Sequence, residues 1–299
     1  MKQMSSLIEL VQELRQRTGA GMMDCKKALE ASEQDIDKAI DWLRQKGIAK
    51  AGSKSGRIAA EGVSTIIVEG NKAVIAEINS ETDFTAKNER FLHAVKVIAE
   101  GLLASDAKTV EEAQNAPTAE GPISEVLAAI SFATGEKMTL RRFEIVEKTD
   151  DQVFGPYIHM GGKIAALAVV NGGTAEVAKD VAMQVASMNP TYVDRDHMPQ
   201  AEVEHERSIQ LELAKNDPKN AGKPDSIIEK MVEGRVSKAL QEVCLVDQIY
   251  FRDGQTKVSA FLKANNAVVD RFVRYATGEG IEKKVDNWAA EVAAAIADL

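Results

Sequence analysis

Gly161-Gly162-Lys163 resembles the end of a phosphate-binding loop, where a lysine reaches the phosphates and a following hydroxyl holds Mg²⁺. Ile164 replaces that hydroxyl and no glycine stands five positions before Gly162, so the run reads as a hairpin turn. There is no GxSxG, HExxH or GxGxxG. His93, His159, His197 and His205 are scattered, and no pair among the abundant carboxylates stands out as acid and base. Cys25 and Cys244 lie far apart, outside any CxxC or Cys/His cluster. We therefore expect no catalytic residue, no metal ligand and no cofactor. What remains is non-covalent chemistry in one polar loop, Asn79 to Asn88, where Phe84 sits among Thr82, Asp83 and Thr85. Two readings are open. Either the loop carries a function, as loops on rigid scaffolds often do, or Phe84 tucks back onto the sheet while Asp83 caps the next helix.

The surrounding elements follow from periodicity. Ser6-Leu7-Ile8-Glu9 is a capping box before apolar residues at Leu7, Leu10, Val11 and Leu14, and Thr18-Gly19-Ala20-Gly21 stops that helix. A second helix covers about 24–31. A third runs from about Asp35 and is expected to stop at Gly47. Lys50 to Arg57 is small, polar and basic, as a linker would be. From Gly62 the period shifts to two. Val63, Thr65 and Ile67 alternate, the turn Glu69-Gly70-Asn71 follows, and Ala73 to Ile78 completes a β-hairpin. A helix with Phe91, Val95, Ile98 and Leu102 comes next, then a helix over 123–130 and a strand over 139–146.

That order recurs. Residues 157–160 and 164–170 form a second hairpin, residues 175–188 a helix, residues 258–262 a short helix and residues 268–275 a strand. Arg141-Arg142-Phe143 is echoed by Asp270-Arg271-Phe272. Two antiparallel-sheet-plus-helix subdomains make the fold α+β. The copies differ at one join: residues 79–88 in the first, only Asn171-Gly-Gly-Thr174 in the second. The second copy is also interrupted by two helical stretches, 201–214 and 226–243, with Ile228, Val232, Val236 and Leu240 as a stripe on the latter and Val203, Ile209 and Leu213 on the former. That apolar face either meets a partner or a second copy of the chain, or packs within its own subdomain. A last helix, about 285–299, carries Trp288, Val292 and Ile296.

The net charge of −9 and pI near 5.2 argue against a general nucleic-acid binder. No apolar run approaches the roughly 20 residues of a membrane helix, and the first residues read as neither signal nor transit peptide. Two dispersed cysteines suit a reducing compartment. Cytoplasmic residence, without membrane or direct nucleic-acid partners, is the expectation.

Thr18-Gly-Ala-Gly-Met-Met-Asp-Cys-Lys-Lys-Ala-Leu29 resembles the elongation factor Ts family. The likeness continues through Thr82-Asp83-Phe84-x-Ala86-Lys87 and Lys230-Met-Val-Glu-Gly-Arg235 to Gly278-Glu-Gly-Ile-Glu-Lys283, over essentially the whole chain. It implies a three-helix domain of ubiquitin-associated type (1–50), a linker (51–61), core subdomains N (62–148) and C (149–199 with 246–280), an inserted helical hairpin of coiled-coil or dimerisation type (200–245) and a C-terminal module (281–299). It further implies a guanine-nucleotide exchange factor for elongation factor Tu, not an enzyme. In that role Thr82, Asp83, Phe84 and Thr85 would form the loop that enters the partner and dislodges its Mg²⁺. Arg15, Met22 and Met23 would grip a partner helix, with closure of the small three-helix core as the other reading of the methionines. Thr85 departs from the family's more usual Val. The competing reading is an adaptor that binds proteins through residues 1–50.

Overall fold

Three helices open the chain in a computed structural model that describes residues 7–18, 20–53 and 56–282: α1 (Leu7–Thr18), α2 (Met22–Ala31) and α3 (Ile36–Ser53). Val11 and Leu14 from α1, Cys25, Ala28 and Leu29 from α2, and Ala39 and Leu43 from α3 close a small core around Ala20. The expected stop at Gly47 is corrected. The third helix continues to Ser53, so the segment read as linker begins inside it. A mid-helix glycine costs about 1 kcal/mol relative to alanine, and packing offsets it. Gly47 is buried against the helix Ile123–Thr134, where an added Cβ would meet Ala128 O and Phe132 Cβ at 3.5 Å. Ser6 of the capping box and the helix read over 285–299 lie outside the described residues.

Contacts divide the chain into two units. One holds Met1–Thr65, Ala76–Glu144 and Ala276–Leu299; the other holds Ile66–Ile75 and Ile145–Tyr275. After α3 come β1 (Glu61–Glu69), β2 (Lys72–Ser80), a single helical turn α4 (Asp83–Ala86) and α5 (Glu89–Ala104). Next are α6 (Val110–Ala113), the two-residue strands β3 (Pro117–Thr118) and β4 (Gly121–Pro122), α7 (Ile123–Thr134) and β5 (Thr139–Glu147). The sheet order is β1-β2-β5. Phe91, Val95, Ile98 and Leu102 on α5 are buried, as their helical spacing requires.

The second copy follows the same plan with β6 (Gln152–His159), β7 (Ile164–Gly172) and α8 (Ala175–Met188). Then come the inserted helices α9 (Gln200–Asn216) and α10 (Asp225–Val243), and finally α11 (Val258–Ala264) and β8 (Ala267–Ala276). Its sheet order is β6-β7-β8, with β6 and β7 antiparallel from Gln152↔Asn171 to His159↔Ile164. Gly161 and Gly162 take φ of 64° and 96° in the turn between them, which places the Gly-Gly-Lys run in a hairpin. Mixed helices and antiparallel sheets make the fold α+β.

The inserted hairpin closes on itself. Ile228, Val232, Val236 and Leu240 of α10 are buried with Ala214 of α9, against partly buried Val203, Leu211 and Met198. Ile209 and Leu213 instead point outward, so the inward face of α9 is offset from the stripe expected for it. Asn220 seals the connection, donating from Nδ2 to Ala214 O at 2.8 Å.

A charge is buried at the end of β2. Glu77 has no solvent exposure, and its carboxylate accepts from Gly278 N (2.7 Å), Asn79 Nδ2 (3.0 Å), Arg141 Nη1 (3.0 Å) and Arg142 Nε (2.6 Å). Burial alone would push this carboxyl up. The hydrogen bonds from Gly278, Asn79, Arg141 and Arg142 outweigh that and hold it below its ordinary value. Gly278 reaches it with φ of 77°, where a Cβ would lie 2.1 Å from Ala60 O. Because the folded-state pKa is depressed, Glu77 stabilises the fold at neutral pH. That contribution fades as pH falls below about 4.3, the ordinary Glu value. Glu77→Ala should therefore cost roughly 3 kcal/mol at pH 7, by stranding two arginines, and much less near pH 3. Urea unfolding at both pH values measures it; an equal loss at both would refute the linkage.

Candidate functional site

The turn that leaves β2 is built from local caps. Thr82 is the N-cap of α4, with extended φ/ψ of −122° and 155°, and its Oγ1 accepts from Thr85 N at 3.3 Å. Asp83 is thus the first helical residue and not the cap. Its charge sits at the favourable helix N-terminus and pairs with Lys87 Nζ at 2.7 Å. Asn88 caps α5 by accepting from Arg90 N at 2.9 Å. Ala86 and Phe91 are buried and anchor the two helices.

Between these anchors Phe84 is 83% exposed, more than any other large apolar side chain among the described residues. The reading in which its ring tucks onto the sheet is corrected. A phenyl ring left in water forgoes about 1.5–3 kcal/mol of burial, so its place on an ordered turn calls for a function.

The turn is held from outside by a residue that sequence reasoning missed. Glu136, just beyond α7, accepts from Glu81 N and Thr82 N at 3.1 Å, from Thr82 Oγ1 at 2.6 Å and from Thr85 Oγ1 at 2.7 Å. Glu81 answers in the other direction: its carboxylate accepts from Lys137 N and from Arg57 Nη1 at 3.2 Å. The Thr85 hydroxyl thereby has a partner. The turn and Glu136 are more than fifty residues apart, and no local pattern signals their pairing.

Arg15, Met22 and Met23 belong to the three-helix bundle, on elements separate from α4. Arg15 is exposed on α1, while Met22 and Met23, at the start of α2, are 57% and 63% exposed. The bundle core is complete without the methionines, so closing it is not their role.

The remaining candidates for chemistry stay apart. His93 pairs with Glu120 at 2.6 Å, His159 with Tyr157 at 2.8 Å and His197 with Asp194 at 2.6 Å, each a separate surface contact. Cys25 and Cys244 are free and fully buried, and burial pushes both thiols up, away from the reactive thiolate. Among the described residues no group of His, Cys, Asp and Glu could hold a metal ion, and no helix is long and apolar enough to cross a membrane.

Two repeated sheet-and-helix subdomains with an inserted helical hairpin, presenting an aromatic side chain on a clamped turn, define an α+β protein built for contact with another macromolecule. Residues 81–279 match the family model described as Elongation factor TS, and the chain belongs to that family. The family acts in translation elongation, as nucleotide exchange factor for elongation factor Tu, and is not catalytic in the bond-making sense. The match includes the Phe84 turn, the first subdomain from α4 onward, the second subdomain and the hairpin; strands β1 and β2 precede it, as do Arg15, Met22 and Met23.

If Phe84 has no part in the fold, Phe84→Ala should change the unfolding free energy by less than about 0.5 kcal/mol, as surface substitutions do. Urea denaturation measures it. A loss above 1 kcal/mol would return the ring to the reading in which it packs on its own scaffold.

Proposed function

We propose that this chain binds elongation factor Tu in its GDP form and releases the nucleotide mechanically, with Phe84 as the wedge. The observation that carries this is the 83% exposure of a phenyl ring on a turn that Glu136 holds in place. Phe84 and Asp83 enter the partner's nucleotide domain and displace the elements that support Mg²⁺ and the phosphates. Mg²⁺ neutralises clustered phosphate charge, so its loss loosens GDP. Factor and nucleotide weaken each other's binding by the same factor, and GTP rebinding ends the cycle. Nothing covalent happens on this chain.

Arg15, Met22 and Met23 supply a second grip, in which exposed methionines offer adaptable apolar surface to a partner helix. The three-helix bundle (1–50), linker (51–61), subdomains (62–148; 149–199 with 246–280), hairpin (200–245) and C-terminal module (281–299) are the units of the proposal. Its setting is the cytoplasm, without direct nucleic-acid or membrane contact. A homodimer or 2:2 assembly would use the hairpin or the core.

Release of fluorescent GDP from purified elongation factor Tu tests the reading. The unmutated protein should accelerate release. Phe84→Ala should slow it about 30-fold at sub-saturating factor, as loss of a buried aromatic hot spot does. Absence of acceleration by the unmutated protein would sink the function. An adaptor acting through residues 1–50 predicts instead that Phe84→Ala is silent while removing those residues abolishes binding.

The second grip has its own signature. Replacing both Met22 and Met23 by Ser should raise the half-saturating concentration about tenfold with little change in the maximal release rate, because such contacts serve binding uniformly. A fall in maximal rate at unchanged half-saturation would show that the methionines act in the displacement step.

A further inference from the structure

We propose that Glu136 is the positioning residue of the exchange turn, holding Phe84 presented before any partner arrives. The inference rests on the exchange reading above and names the group that makes it work. A four-residue helix does not hold itself, since nucleation fixes several residues for one hydrogen bond and leaves its first N–H groups without internal acceptors. The Glu136 carboxylate holds it from outside, at the N-cap residue and the one before it. Oε2 takes the N–H groups of Glu81 and Thr82, and Oε1 takes the hydroxyls of Thr82 and Thr85. The bonded residues bracket Phe84 on both sides and leave the ring free.

Glu136 is itself fixed. Gly135 ends α7 with φ of 80°, Ser131 Oγ donates to Glu136 O at 2.6 Å, and Thr134 Oγ1 accepts from Glu136 N at 3.3 Å. The reciprocal bond from Lys137 N to Glu81 closes the clamp.

The second copy of the repeat is an internal control. There the strand-to-helix join is Gly172-Gly173, with Thr174 capping α8 by accepting from Val177 N at 3.3 Å. After α11, Asn266 takes the left-handed conformation (φ 49°), as Gly135 does after α7, and Ala267 follows where the first copy has Glu136. A Cβ on Gly173 would meet the Ala267 Cβ at 3.0 Å. The same two places therefore meet in both copies. In the second they close as a plain apolar contact; in the first, turn and carboxylate occur together.

A clamp that pre-organises the turn sets the fraction of molecules competent for exchange, and apparent activity falls by that fraction. Glu136→Ala should slow GDP release about tenfold at sub-saturating factor. It should also speed hydrogen exchange at the Glu81 and Thr82 amides of the free protein. Glu136→Gln should stay within about threefold of the unmutated protein, since its amide oxygen can face the two N–H groups while the hydroxyls rotate to accept from its NH₂. Glu136→Asp keeps the charge but is one methylene short, and should fall like Ala. Thr85→Val, which removes one bond of four, should lose about twofold. In a Phe84→Ala background Glu136→Ala should cost nothing further, whereas a merely structural role would add its own loss. Slow release by Phe84→Ala with unimpaired Glu136→Ala or Glu136→Asp would overturn the clamp alone. So would losses that multiply in the double variant. A silent Phe84→Ala would overturn the wedge and its clamp together.

Discussion

A carboxylate without access to water has to be satisfied where it stands, and Glu77 imposes that requirement on everything around it. Thr82 lies five positions further on, so the strand that launches the Phe84 turn is pinned just before it leaves the sheet. Its four donors come from three stretches: Asn79 on the same strand, and, far away in sequence, Arg141 and Arg142 on β5 and the backbone of Gly278. Arg142 also donates to Ala276 O at 3.0 Å, and Arg141 to Glu279 O. Removing Glu77 would strand both arginines, and removing either arginine would leave the buried charge with fewer partners, costs larger than the net worth of the intact cluster. The cluster therefore specifies geometry more than it adds stability. It fixes β2, β5 and the turn after β8 in one arrangement.

The Phe84 turn inherits that fixed starting point and adds a second carboxylate that is only partly buried. Glu77 is enclosed, whereas Glu136 is half-buried and gathers the N–H and hydroxyl groups of the turn. Both solve one problem, the supply of acceptors to donors that regular structure leaves over. With the backbone of residues 81–88 bonded at both ends, the cost of ordering it is met during folding. Under the proposed function, a partner receiving Phe84 would not have to order the loop at the moment of binding, which is the advantage of pre-organisation.

Much of this is legible in the sequence, and the reasons are local. Hairpins announce themselves through alternation and Gly-Asn or Gly-Gly turns, and the long helices through the spacing of residues such as Phe91, Val95, Ile98 and Leu102. The repeat is visible in the echo of Arg141-Arg142-Phe143 by Asp270-Arg271-Phe272. What stayed hidden is long-range. Glu77 lies in an apolar run and looks like any strand residue, and its pairing with Arg141 and Arg142 spans over sixty positions. Glu136 reads as one more surface acid beside a glycine. The continuation of α3 through Gly47 depends on packing against α7, which no periodicity within α3 reveals. The exposure of Phe84 was undecidable for the same reason: the groups that hold the turn, and so free the ring from holding it, lie on the far side of α5 and α7 in sequence.

The two copies of the repeat show how an extra turn can be added without disturbing a scaffold. Strand, capped helix, second helix and returning strand are retained in both, and in both the long helix begins at a polar cap, Asn88 in one and Thr174 in the other. Where the second copy joins strand to cap through two glycines at φ of 69° and 70°, the first inserts one helical turn. Such an insertion lengthens a surface connection, and the entropy of a longer loop grows only slowly with length. Its greater cost is the set of unpaired N–H groups it introduces. A carboxylate at the neighbouring helix-to-strand corner reduces that cost by accepting from Glu81 N and Thr82 N, at a position that the second copy fills with Ala267. Thr82 and Thr85 then make the inserted turn specific to that carboxylate, through hydroxyls that an apolar side chain at either place could not supply.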